Sequence, residues 1–337
     1  MSVGQHFILG FRGPELPQWV EVFAGRHTLG GIILFDYDLK TKSYKNNILS
    51  KAQLSELCAS IHALPGEPLV FIDQEGGKVR RLKENLGFQP LPSHEALAKI
   101  PVTERKAILA ESFREMTSLG IDVDLAPVVD ANYFPENPDI GAIGRSFSAD
   151  PQRIEKNASL FFEAAEAAGL LLCLKHYPGL GGATVNSHEA LTDITESIHP
   201  EQLDLFYSLG KKLPGHAILV SHGLVKTWDD QFPVSVSLPT LQKLRQKLPE
   251  AVLISDDLQM QGLQKLLTSE QATIQGLSAG LDFVLLGNNL IDQQLECFNF
   301  AEAVAKRAAI DSPFASILSA SRRRIQQFKS LKKKRVS

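Results

Sequence analysis

The sequence predicts an α/β protein built as a single-domain (β/α)8 barrel, and three observations predict it. Short, almost wholly apolar runs recur about eight times along 337 residues. Segments between them carry helical spacing and helix punctuation. No GxGxxG motif opens a helix after the first run, as an open dinucleotide-binding sheet would require. Strands that are apolar at nearly every position need cover on both faces, which alternating helices supply around a parallel sheet.

The runs follow in order. FILGFRG at 7–13 is the weakest, then come GGIILFD at 30–36, PLVFIDQEGG at 68–77 and IDVDLAPVVD at 121–130. GLLLCLKHYPG at 169–179, AILVSH at 217–222, AVLISDD at 251–257 and GLDFVLLGNN at 280–289 complete the set. The clearest intervening helix runs from Asp150 to Gly169. Asp150 caps the first amides, Pro151 suits the first helical position, Ile154, Ala158, Phe161, Phe162, Ala165 and Ala168 share a face, and Gly169 supplies the left-handed stop. Further starts fall at Pro200, Pro239 and Ser312-Pro313. The chain is longer than the roughly 250 residues typical of the fold, and loops 36–50 and 131–149 take up the excess. Residues 1–337 are thus expected to form one catalytic barrel ending in a basic helical tail at about 321–337.

Composition excludes several classes. With 44% hydrophobic and 22% charged residues, the chain is neither disordered nor collagen-like. Three cysteines, Cys58, Cys173 and Cys297, show no CxxC spacing, so no disulfide framework or cysteine-rich zinc site is expected, and a reducing compartment fits. The N-terminus lacks a basic region, and no stretch approaches the roughly 18 apolar residues of a membrane span. A cytoplasmic monomer is expected, with no membrane span and no nucleic-acid partner. Net charge is −3, yet residues 321–337 hold eight Lys or Arg and no acid. Such a terminal run reads as a solvated helix end.

In a barrel the reacting groups stand at the carboxyl ends of the strands. Here the runs close on Asp73-Gln74-Glu75, Asp130, Lys175-His176, His222, Asp256-Asp257 and Asn288-Asn289, with Arg145 and His188 on following loops. Carboxylates among Arg, Lys and His suit a polyhydroxylated substrate. Glycoside hydrolysis needs one group at the anomeric carbon and another to protonate the leaving oxygen, roles open to Asp256 and His188. A Schiff-base aldolase through Lys175 is the mechanistic rival. A metal site drawn from His176, His188, His216, His222 and Asp256 lacks any HExxH-like spacing, so no metal and no cofactor are expected.

These motifs resemble glycoside hydrolase family 3, in its short bacterial β-N-acetylglucosaminidase branch of cell-wall recycling. The resemblance rests on LGGIILF at 29–35, FIDQEGGKVRRL at 71–82, IGRSFSADP at 143–151, KHYPGLGG at 175–182, NSH at 186–188, SHGLV at 221–225, ISDDLQM at 254–260 and AGLDFVLLGNN at 279–289. It implies a retaining exo-β-N-acetylglucosaminidase acting on small carbohydrates such as muropeptide fragments. By position it implies Asp256 as nucleophile, Asp73, Arg145, Lys175 and His176 as binders of the sugar hydroxyls, and His188 as general acid/base. Asp257 is expected to be structural. Asn186 stands where the family commonly has the Asp of a His–Asp dyad, and Leu180 where it has a histidine. Another sugar specificity, transfer to phosphate or to a second sugar, and non-catalytic sugar binding are the alternatives.

Overall fold

A computed structural model describes residues 2–184, 191–212 and 216–336. Eight strands are β1 (Phe7–Leu9), β2 (Gly31–Leu34), β3 (Leu69–Ile72), β4 (Val123–Asp124), β5 (Leu171–Tyr177), β6 (Ala217–Val220), β7 (Val252–Asp257) and β8 (Phe283–Leu286). Each pairs in parallel with the next and β1 pairs with β8, closing the barrel. Every strand lies within one of the eight runs read from the sequence. The helices are α1 (Gln18–His27), α2 (Lys51–His62), α3 (His94–Leu97), α4 (Val102–Ser118), α5 (Pro151–Ala168) and α6 (Pro200–Lys212), then α7 (Leu238–Lys247), α8 (Gln261–Gln264), α9 (Ser269–Ala279), α10 (Glu296–Ile310) and α11 (Ser312–Val336).

The strand period of two divides the core. Ile8, Ile33, Phe71, Leu125, Cys173, Leu219, Ile254 and Leu285 point into the barrel, while neighbours such as Leu9, Ile32, Val70, Leu172 and Leu253 pack under the helices. Both sets are buried, which is why the runs read as continuously apolar. Helix punctuation behaves as its chemistry demands. The Asp150 carboxylate accepts from the Gln152 amide and Gly169 takes φ 74°. α7 begins at Leu238, one residue before the predicted Pro239, because the Ser237 hydroxyl caps it by accepting from the Thr240 amide.

The tail departs from expectation. α11 lies across the amino-terminal end of the barrel, inserting Ile325 and Phe328 into the interior cluster. Arg324 donates to Asp282 at 2.9 Å, and Lys332 pairs with Asp122 at 2.5 Å. Asp282 and Asp122 immediately precede β8 and β4 and are almost wholly buried. The described part of the basic run is thus a bolt holding buried carboxylates, not a solvated end. Sequence reasoning missed this because the acids lead strands far away in the chain.

Candidate active site

The carboxyl ends of the strands surround a cavity of about 530 Å3. Its floor is the last interior layer, Ile33, Leu125, Leu219 and Leu285. Above that floor, Asp73, Arg145, Lys175, His176 and Asp256 from the sequence-derived set all line the cavity. His188 and Asn186 lie outside the described residues.

Local folding explains the placement of the acids after β3. The Gln74 amide donates to Asp124 at 2.9 Å, while the Gln74 side-chain oxygen accepts from the Arg81 and Leu82 amides, folding residues 74–82 back over the strand end. Gly76 and Gly77 make the turn at φ 104° and 59°. A Cβ at Gly76 would fall 2.2 Å from the Pro92 carbonyl oxygen, so the paired glycines of DQEGG serve backbone packing. In β5, the pairing with β6 shifts register between Leu174 and Tyr177, and both Lys175 and His176 reach the cavity.

These side chains form one ionic chain. Lys175 Nζ stands 2.8 Å from Asp73 Oδ1 and 2.5 Å from Glu75 Oε1. Arg145 clasps Glu75 with two bonds, Nε to Oε2 at 2.7 Å and Nη2 to Oε1 at 2.8 Å. A third Arg145 bond runs to the Asp139 carbonyl at 2.8 Å. Arg145 Nη2 also donates to His176 Nε2 at 3.0 Å, so the imidazole is an acceptor there and carries its proton on Nδ1, which bonds Asp130 Oδ2 at 2.7 Å. Asp130 further accepts from the His176 and Leu180 amides, tying β5 to its loop. At the other end, Arg81 donates to Asp73 Oδ2 at 3.1 Å.

Electrostatics follow this geometry. Burial alone would raise the Asp73 carboxyl, but Lys175 and Arg81 outweigh it and hold Asp73 at about 2. Burial is likewise overcome at Glu75, where Arg145 and Lys175 hold the carboxyl well below the usual range. Burial would lower Lys175, yet Asp73 and Glu75 raise it above an ordinary lysine. An ammonium so held is no Schiff-base nucleophile, which removes the aldolase rival. Two other acids behave oppositely. Burial pushes Asp124 up to about 8 and Asp257 up to about 7, the latter against bonds from the Gln259 and Gly287 amides.

Asp256 and Asp257 end β7, and both line the cavity. Asp256 Oδ1 accepts from the following amide, that of Asp257, at 2.9 Å. Asp257 binds the amides of Gln259 and Gly287, the structural role expected of it, but it also faces the cavity. Lys175 meets Asp73 and Glu75, and Arg145 meets Glu75, the Asp139 carbonyl and His176. His222 bridges the Ser235 hydroxyl and the Asp257 carbonyl, and His216 accepts from the Leu172 amide, so both have structural partners. Leu180, which stands where the family has a histidine, is buried against the cavity. Glu75 and Asp130 were visible as strand-end acids without assigned roles, whereas Asp124 and Arg81 were missed. Only the RR of KVRRL hinted at Arg81.

A closed parallel barrel whose mouth sets carboxylates and cations above an apolar floor has the form of a barrel enzyme acting on a polyhydroxylated substrate. Comparison with known proteins narrows the class. Residues 18–326 match the Glycosyl hydrolase family 3 N terminal domain. The chain is 33% identical to a beta-hexosaminidase from Idiomarina loihiensis over 294 residues, 84% of this chain and 83% of that protein. It is 35% identical to one from Photobacterium profundum over 271 residues, 78% and 75% of the respective chains. Among solved structures, a glycoside hydrolase family 3 beta-N-acetylglucosaminidase from Paenibacillus superposes with a TM-score of 0.86 at 25% identity, covering 98% of this chain and 62% of that one. A beta-N-acetylhexosaminidase from Beutenbergia cavernae gives 0.82 at 25% identity, covering 98% and 97%. The chain belongs to glycoside hydrolase family 3, and it is a glycoside hydrolase.

Proposed function

We propose that this protein is an exo-acting, retaining β-N-acetylglucosaminidase that removes terminal β-linked N-acetylglucosamine from small carbohydrate fragments, muropeptides among them, as a cytoplasmic monomer in which residues 1–337 form one catalytic unit. The observation that carries the reading is the ionic chain Asp73–Lys175–Glu75–Arg145–His176 placed in the same cavity as Asp256. Asp73, Arg145, Lys175 and His176 bind the hydroxyls of the terminal sugar. Asp73 stays ionised across the whole physiological range and accepts hydroxyl protons, while Lys175 and Arg145 donate. Held between Arg145 and Asp130, His176 has one orientation.

Asp256 attacks the anomeric carbon, and the bond from that carbon to the leaving oxygen breaks as the glycosyl–aspartate bond forms. His188 gives its proton to the leaving oxygen, then takes one from the water that cleaves the ester. An imidazole acid begins near the working pH without the burial that a carboxylic acid needs. Asn186, where the family commonly has Asp, is an amide and supplies no charge to the imidazolium. No cofactor enters these steps. Trapping tests the reading. A 5-fluoro-N-acetylglucosaminyl fluoride should leave one glycosyl unit on the peptide holding Asp256, and release of stoichiometric fluoride with the label elsewhere, or with none, contradicts it.

A further inference from the structure

β7 ends on two consecutive carboxyls, and a regularly alternating strand sends only one of them into the barrel. Ile254 points inward, so Asp256, two residues on, follows it, and Asp257 should turn away toward the helices. The strand does not alternate there. Ile254 stands opposite Phe283 and Asp257 opposite the inward-facing Leu285, so β7 gains one residue against β8, and this bulge brings Asp257 onto the cavity beside Asp256. The end of β8 makes room for it. A Cβ on Gly287 would fall 2.5 Å from Asp257 Oδ2, so the glycine clears the space that the carboxyl fills.

The carboxyl so placed is held by backbone and by no cation. Asp257 Oδ1 accepts from the Gln259 amide at 3.0 Å and the Gly287 amide at 3.3 Å, and among the described residues no ion pair reaches it. The cations of the cavity are engaged with other acids: Lys175 with Asp73 and Glu75, Arg145 with Glu75, Arg81 with Asp73 and Asp36. Titratable groups that face Asp257 are Asp256 on its own strand, Asp73 at the end of β3, His222 after β6 and the buried Cys297 thiol on α10. β2 and β8 bring Phe35 and Gly287 to that side, neither of them charged. Two adjacent acids with no cation between them resist carrying two charges. Burial, with Asp256 and Asp73 adding to it, pushes the Asp257 carboxyl up to about 7 against its two amide bonds.

We infer that Asp257 is a positioning residue that works as an uncharged carboxyl: holding its proton, it clamps the turn that aims Asp256, and loss of that proton sets the upper pH limit of activity. The inference rests on the proposed reading of Asp256 as nucleophile. Asp256 Oδ1 accepts from the Asp257 amide at 2.9 Å, so the peptide joining the two residues orients the attacking carboxylate. Asp257 fixes that peptide from both sides, its side chain on the Gln259 and Gly287 amides and its carbonyl accepting from the Met260 amide and from His222 Nε2, each at 2.9 Å. With Asp257 neutral, one negative charge stands at the end of β7. With Asp257 ionised, a second carboxylate lies beside the first away from bulk water, and their repulsion moves Asp256 from the line of attack.

The experiment follows kcat/KM for 2,4-dinitrophenyl N-acetyl-β-glucosaminide from pH 6 to pH 9 in the wild type and in Asp257→Asn. Dinitrophenolate leaves without taking a proton, so the general acid does not shape this profile. Asparagine keeps an oxygen for the Gln259 and Gly287 amides and cannot ionise; circular dichroism checks its fold, and Asp257→Ser, whose hydroxyl keeps one acceptor, takes its place if it misfolds. The wild type should lose about tenfold or more across this range, and the folded variant, still active, should lose less than about twofold. An equal fall in both proteins overturns the inference and assigns the limb to another group such as His222. A flat wild-type profile overturns it as well. So does a folded variant without activity, because an uncharged side chain of the same shape then fails. All three of these results leave the glycosidase reading standing, whereas a wild type that releases no dinitrophenolate refutes that reading, and the inference falls with it.

Discussion

Replacing Glu75 by Gln tests the ionic chain at its centre. Glu75 is 1% exposed and meets Arg145 at 2.7 and 2.8 Å and Lys175 at 2.5 Å. At an effective dielectric of about 20, each such contact has a gross attraction of about 6 kcal/mol, most of which is offset by the cost of taking the charges out of water. Removing one partner of a buried pair costs about 3–5 kcal/mol. The low end applies, because glutamine keeps one acceptor for Arg145 and Asp73 still holds Lys175. For a chain of this size, about 3 kcal/mol lowers Tm by about 4 °C. With its two-bond clasp on residue 75 broken, Arg145 shifts against His176, and a displacement of about 1 Å lowers kcat/KM by about 100-fold. The carboxyl of Glu75 is held below its ordinary value, so the wild-type advantage is complete above the ordinary glutamate range and is lost only as pH falls through the depressed folded value. The difference in Tm should stay constant from pH 6 to 8. A variant within 2 °C and threefold of the wild type would refute the argument.

Three further predictions follow from other parts of the molecule. Asp124 keeps its proton in the fold up to about pH 8, whereas an ordinary aspartate loses it near 3.8, so the native state holds the extra proton and stability falls as pH rises through that window, by at most about 1.4 kcal/mol per unit. Asp124→Asn should therefore narrow the difference in urea midpoint between pH 5 and pH 8, and equal differences in both proteins would contradict this. Deleting residues 322–337 strips Ile325 and Phe328 from the barrel interior and leaves Asp282 without Arg324, a loss of about 6 kcal/mol or more, read as a fall in Tm of about 8 °C or more; an unchanged Tm would show that the bolt is ornamental. His188→Ala should slow alkyl glycosides far more than activated aryl glycosides, which need little protonation, and equal losses would remove the acid role.

Much of this was legible in the sequence, for identifiable reasons. The strands could be read because each is buried on both faces, and α5 because Asp150, Pro151 and Gly169 mark its ends. Site residues could be read where they close strands, since the fold sends such residues to one face. What could not be read depends on pairing between distant segments. Glu75 becomes central only when Arg145 and Lys175, 70 and 100 residues away, converge on it. The basic tail looked solvated because its acidic partners, Asp122 and Asp282, are strand-leading residues elsewhere in the chain.

Asp256 as the attacking carboxylate in an N-acetylglucosaminidase is the central claim, and release of nitrophenol from an aryl N-acetyl-β-glucosaminide tests it most directly. The purified wild type should release nitrophenol and Asp256→Ala should fall by at least 1,000-fold with its fold intact. Equal release by both proteins, or none from a folded wild type, would contradict the account.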